Sequence, residues 1–391
     1  MPDNGNVLSM LIKNGRVIDS LRNIDEVQDV GVKDAEIVEL PAAGDSEGKQ
    51  IIDASGCLVL PGLIDFHTHS FVGVTRLGTN PAFLPATGVT TIADAGSSGC
   101  DNFEVFLKNS RASGIVRTKM FLSCCSFGME SPTEQEDFSP ERMNRDAILR
   151  LKQTYPNEIA GLKIRVQRNL VSDMKPLAAA LELAQSANLP LCVHVKDAYC
   201  GMNEIADMLR PGDIFCHVFH GTGNTILDAD GCILPAILRA RDRGVLFDVA
   251  NGKKNCYHSV SRAALEQGFL PDILSTDMTW DKLNYASRVR SLPFVMSKFL
   301  SFGMELKDVA RCVGETPARH LGLENKAGTL APGAFADITI LRIARKKVVF
   351  HDTSGDAFVG DTLLIPQMTI LRGQIAFGQV DFNLPESDCQ I

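Results

Sequence analysis

The sequence predicts an α/β protein: a (β/α)8 TIM barrel with a small β-sandwich domain formed by both chain ends. Three observations carry that expectation. Over residues 58–324, apolar strand-like runs alternate with stretches of helical spacing, the pattern that closes a parallel barrel. Residues 1–57 and 325–391 are instead rich in short strand-like runs broken by Gly and Pro. The chain of 391 residues is long enough for a barrel of roughly 250 residues plus a smaller domain.

Taken in order, NVLSMLIKNGRVID places Asn14-Gly15 between apolar runs, the strongest short hairpin signal. VGVKDAEIVEL repeats the idea with Lys33-Asp34 at its turn, and KQIIDASGCLVL leads into the barrel. Barrel strands are expected at 63–69, 88–94, 119–125, 158–166, 190–195, 213–219, 245–251 and 272–277. Between them, MKPLAAALELAQSAN (174–188) has helical apolar spacing and good helix formers. SVSRAALEQG (259–268) opens on a serine cap and ends on glycine, start and stop signals in the right places. Helices near 287–322 return the chain to the sandwich, whose last strands fall in GTLAPGAFADITIL (328–341) and TILRGQIAFG (369–378).

Composition excludes several function classes. A formal net charge of −8 argues against nucleic acid or another polyanion as partner. No basic start followed by an apolar core marks a signal peptide, and no apolar run is long enough to span a bilayer. The 11 cysteines are scattered, without a CxxC pair, and adjacent Cys124 and Cys125 are poorly placed to bridge each other. The expectation is a cytoplasmic protein with reduced thiols, a homo-oligomer acting on a small molecule, with no membrane partner. One Trp and four Tyr make aromatic stacking platforms no theme of this chain.

The chemistry is organised around LVLPGLIDFHTHSF (58–71). An apolar run broken by Pro61-Gly62 ends in His-Thr-His, and in a strand His67 and His69 share one face while Thr68 points away. Two imidazoles on one face at the end of a buried strand suit a single metal ion. PGLIDFHTH closely resembles the first-strand signature of the amidohydrolase superfamily, metal-dependent hydrolases built on a (β/α)8 barrel. That pattern asks for a lysine ending strand four, histidines ending strands five and six, and an aspartate ending strand eight. Lys163 in GLKIRV, His194 in LPLCVHV, His217 in DIFCHVFHG and Asp277 in DILSTD answer it in order.

The resemblance implies two divalent metal ions, zinc by preference, bridged by Lys163 after its carboxylation by carbon dioxide. His67 and His69 would hold one ion and His194 and His217 the other. Asp277 would contact the first ion and the attacking water. A metal lowers the pKa of bound water from nearly 16 to roughly 7, so hydroxide is available to attack a polarised carbonyl. Asp277 would take its proton and pass it to the leaving group. Between His217 and His220 the strand-six ligand stays open; His217 fits the strand end, with His220 just beyond and nearer the substrate.

Dihydroorotases of this superfamily carry an arginine two residues after the second histidine, to hold the substrate carboxylate. Phe71 stands there in this chain. HVFHG, GFLPDILSTD and GETPARHLGL instead resemble a dihydroorotase-like deacetylase branch, which acts on N-acyl amino acids or α-acyloxy acids. Arg165, two residues beyond Lys163 and so on the same face, is the candidate carboxylate clamp, with a rim salt bridge as its plainer reading. Other expectations kept open are a cyclic amidohydrolase (dihydroorotase or hydantoinase-like), a lyase or isomerase on the same metal scaffold, and a metal-free assembly protein. The complete ligand set argues for an enzyme.

Overall fold

The computed structural model describes residues 7–41, 47–73, 77–129, 136–283 and 287–382. Seven strands run parallel in sequence order: Leu63–Thr68, Val89–Ala95, Arg117–Ser123, Ile159–Arg165, Leu191–His194, Ile214–Cys216 and Leu246–Asp248. Isolated parallel bridges from Asp248 to Ile273 and from Thr68 to Met278 close the ring. The eighth strand expected at 272–277 is therefore a closing segment without a continuous ladder. Its backbone still bonds to both neighbours, Val249 N donating to the Ile273 carbonyl at 3.1 Å and Met278 N to the His67 carbonyl at 3.3 Å. Side chains add to this: Asp65 accepts from Thr276 N at 3.0 Å and its Oγ1 at 2.5 Å, and Ser275 Oγ donates to Asp248 at 2.5 Å.

Period-two alternation sorts the strand residues. Ile64, Phe121, Cys192, Ile214 and Leu246 belong to one buried cluster inside the ring, together with Ala318 and Leu321. Their neighbours Leu63, Leu122, Val193, Phe215 and Phe247 pack outward against Phe106, Leu177, Ile205 and Ile237 of the surrounding helices. The crossing helix expected at 174–188 spans Lys175–Ser186. Beyond the barrel, Leu292–Ser301, Leu306–Val313 and Glu315–His320 lead back to the sandwich. Among the described residues no helix is long and apolar enough to cross a membrane.

Both chain ends build the sandwich. One sheet orders Glu36–Val38, Val30–Lys33, Met10–Lys13 and Ile51–Asp53. The other orders Gln374–Gly378, Ala357–Leu371, Ile338–His351, Cys57–Pro61, Arg16–Asp19 and Ile24–Val27. Met10, Ile12, Val32, Val59, Ile338 and Ile370 share the core between them. Asn14-Gly15 does not make a hairpin, because Met10–Lys13 and Arg16–Asp19 lie in different sheets. The turn chemistry is real, with Asn14 at φ 62°, but it carries the chain across the sandwich. A side chain at Gly15 would meet Val59 Cγ2 at 2.3 Å, so the crossing is tightly packed. Asp34, at φ 55°, does turn Val30–Lys33 back onto Glu36–Val38.

Helix His258–Glu266 takes its cap from far away, not from Ser259: His258 N donates to Asp352 Oδ2 at 2.8 Å. The His258 ring is buried edge-on to Phe302 and Phe358, with centroids at 5.4 and 5.2 Å. Burial and then Lys298 push its pKa down to about 4, against the pull of Asp352 and Asp356. The folded state thus keeps His258 neutral where the unfolded chain, near pH 6.5, begins to bind a proton. Stability is expected to fall as pH drops from about 6.5 to about 4. Denaturant midpoints measured at pH 7 and pH 5 should differ less in His258→Leu than in the parent. Equal pH dependence in both proteins would remove His258 from the acid response.

Candidate metal centre

All six expected ligand residues line one cavity of about 460 Å³ at the C-terminal ends of the barrel strands: His67, His69, Lys163, His194, His217 and Asp277. Local backbone features aim them. Pairing of the first strand shifts register between Asp65 and Thr68, where three steps face two on the second strand. This bulge lets Phe66 stay in the interior cluster while His67 and His69 open into the cavity. His217 and Asp277 both adopt left-handed backbone, at φ 67° and 52°. Such residues cost on the order of 1–3 kcal/mol and persist where surrounding packing imposes them. Gly96 makes room for Lys163: a Cβ there would lie 2.7 Å from Lys163 Cγ.

The donors converge. Nitrogens of His67 and His69 and a carboxylate oxygen of Asp277 all lie within 4.8 Å of one another. His69 Nε2 is 3.3 Å from Asp277 Oδ1, and the His194 and His217 ring centroids are 4.3 Å apart. The far ring nitrogens are held by the protein. His67 Nδ1 pairs with Asp248 Oδ2 at 3.2 Å, His69 Nδ1 with Ser97 Oγ at 3.0 Å, and His217 Nδ1 with the Ala250 carbonyl at 2.9 Å. Such partners orient imidazoles for metal binding. His194 Nε2 is buried without a hydrogen-bond partner, an orphan that a metal ion would satisfy.

Electrostatics point the same way. Burial holds His67, His194 and His217 well below the usual histidine range, so each presents a neutral, ligand-ready ring. Burial works to raise Asp277, but Lys282, followed by His69, holds it well below the usual carboxylate range. Lys282 Nζ sits 3.0 Å from Asp277 Oδ2, and Asn255 Nδ2 donates to the same oxygen at 2.9 Å. Lys163 Nζ rests on two thiols, Cys192 at 3.4 Å and Cys216 at 3.7 Å. Burial lowers its pKa, but these thiols outweigh it and the net direction is upward.

Arg165 lines the cavity, with its guanidinium bonded to Glu136 and Gln167. His220 does not line it: its ring is buried behind the wall, Nδ1 meeting the Thr222 carbonyl at 3.1 Å. Phe71 is fully buried and stacked on Phe106 with centroids 4.7 Å apart, turned away from any ligand. Reasoning from sequence missed Glu136, Lys196, Asn255 and Lys282. Only Lys196, two residues past His194, carried a periodic signal; Glu136 and Asn255 come from loops and Lys282 from the short 3-10 turn Trp280–Lys282.

The sequence pattern described as the amidohydrolase family matches residues 58–376. A protein of Enterococcus faecalis named deacetylase is 28% identical over 374 residues, covering 94% of this chain and 98% of that protein. The crystal structure of an adenine deaminase superposes with TM-score 0.87 at 26% identity, covering 95% of this chain and 100% of that one. A dihydroorotase crystal structure gives TM-score 0.83 at 26% identity, with 95% and 98% covered.

Proposed function

The chain belongs to the amidohydrolase family, and on that premise we propose that it is a deacylase of small carboxylate-bearing substrates, N-acyl amino acids or α-acyloxy acids. The observation that carries this reading is the convergence of three imidazole-bearing strand ends, Lys163 and Asp277 on one cavity. His67 and His69 would hold one divalent ion, His194 and His217 a second, and Lys163, once carboxylated, would supply a carboxylate to both. Asp277 would lie beside the first ion. The neutral imidazoles, the ionised Asp277 and the orphaned His194 Nε2 suit zinc. A metal bound there supplies Lewis acidity, acidifying water and polarising the acyl carbonyl.

The chain's own groups do the rest. Asn255 and Lys282 occupy Asp277 Oδ2, which leaves Oδ1, on the His69 side, to take the proton of the attacking water. Asp277 then returns that proton to the departing nitrogen or oxygen. The substrate carboxylate enters along the cationic wall that includes Arg165. Free thiols at every described cysteine support a reducing, cytoplasmic setting, which with a homo-oligomeric state completes the proposal.

A second reading, hydrolytic deamination of a nucleobase, is favoured by the likeness to the adenine deaminase structure. The lysine-rich wall suits an anion better than a neutral base. Metal-loaded enzyme should be offered N-acetyl amino acids, α-acetoxy acids, dihydroorotate, hydantoin and adenine. Hydrolysis of the first two groups is expected. Turnover confined to the ring substrates or to adenine would replace the deacylase reading.

A further inference from the structure

Among the described residues that line the cavity, three cations are paired with carboxylates. Arg165 is paired with Glu136, Lys253 with Asp281, and Lys282 with Asp277. Lys163 lies on its two thiols. Lys196 and Lys254 also line the cavity, and among the described residues neither has a hydrogen-bond or ion-pair partner. Lys196 is half-buried and Lys254 exposed. Two unpaired ammonium groups on the wall of one cavity, one of them half-buried, are unfavourable by themselves and become favourable when an anion binds there. The surplus also runs against the chain's net charge of −8, so it is a local feature of this cavity.

We propose that Lys196 and Lys254 together form the seat for the substrate's carboxylate, and that this pair sets the preference for acyl acids over neutral acyl compounds. The proposal rests on the deacylase reading and names the residues that give it its substrate class. Arg165, unlike these two lysines, is already engaged, Nη1 donating to Glu136 and Nη2 to Gln167. The seat is also tied to the reacting groups through short chain segments. Lys196 follows His194 by two residues, and Lys254 adjoins Asn255, which holds Asp277. Those links fix how far the carboxylate stands from the scissile bond, which is how a specificity subsite orients chemistry.

The test measures binding without turnover. In an Asp277→Asn background, dissociation constants of N-acetylalanine and N-acetylalaninamide are measured by calorimetry on metal-loaded protein. The acid should bind about tenfold or more tightly than the amide, the scale of a charge-assisted hydrogen bond. Adding Lys196→Met should bring that ratio close to one, and Lys254→Met should lower it by less. Lys196→Arg should keep it. Amide affinity should stay constant throughout, which also reports that the variants remain folded. A parent without acid preference, a preference surviving both Met replacements, or one lost only in Arg165→Met would overturn the proposal. The deacylase reading fails separately, through absent turnover in the unsubstituted enzyme, and that result leaves this binding comparison readable.

Discussion

Asp277→Asn is expected to lose more than about 10⁴-fold in kcat/KM while keeping most of its metal. Acid–base catalysis alone is worth roughly 10²–10⁴-fold. The larger loss is expected because the same carboxylate positions the water. Its setting supports that double duty: the side chain is buried, Oδ2 is fixed by Asn255 and Lys282, and Oδ1 lies 3.3 Å from His69 Nε2. An amide retains the shape and one acceptor but no basicity. Four imidazoles and Lys163 remain to hold metal. Near-normal turnover in Asp277→Asn would take Asp277 out of the mechanism, and loss of metal in step with activity would make it an anchor first.

Lys163→Ala is expected to lower metal content to a small fraction of the parent's and to abolish turnover, with partial recovery on adding short carboxylic acids. The lysine stem is packed beside Gly96, so its removal opens a slot where a small carboxylate can replace the missing bridge. The structure adds a pH rule. A carbamate forms on the neutral amine, whereas Cys192 and Cys216 raise the Lys163 pKa and favour the ammonium. The neutral fraction grows as pH rises, so metal loading of chelated protein should speed up with pH and with added bicarbonate. Cys192→Ala, which removes the nearer thiol, should load at lower pH than the parent. Loading indifferent to bicarbonate and unharmed in Lys163→Ala would exclude the bridge.

How far the sequence could be read depended on whether the signal was local. Period-two alternation in PGLIDFHTH was enough to pair His67 with His69, and the family pattern that this motif resembles pointed to Lys163, His194, His217 and Asp277 at four further strand ends. The bulge that turns the histidines into the cavity beside inward-facing Phe66 was not legible, since it depends on pairing with the second strand. Asn14-Gly15 shows the same limit: its turn chemistry was read correctly, but strand partners are chosen by the sandwich core. The cap of His258–Glu266 comes from Asp352, 94 residues away, so no local pattern records it. Glu136, which occupies Arg165, sits in a loop whose side-chain direction follows no period. Strand eight reads as an ordinary strand because its backbone does bond to both neighbours, but the limit of that pairing to isolated bridges leaves no mark in its own sequence.

The central claim, that this cavity is a hydrolytic metal centre, is tested most directly by metal analysis coupled to reconstitution. Protein made in metal-replete medium should carry one or two equivalents of zinc or a similar ion. Chelation should abolish hydrolysis of its best N-acyl or O-acyl acid, and titrating the ion back should restore activity in proportion to occupancy. Protein that carries no metal, takes none up and shows the same turnover with and without chelator would contradict the account.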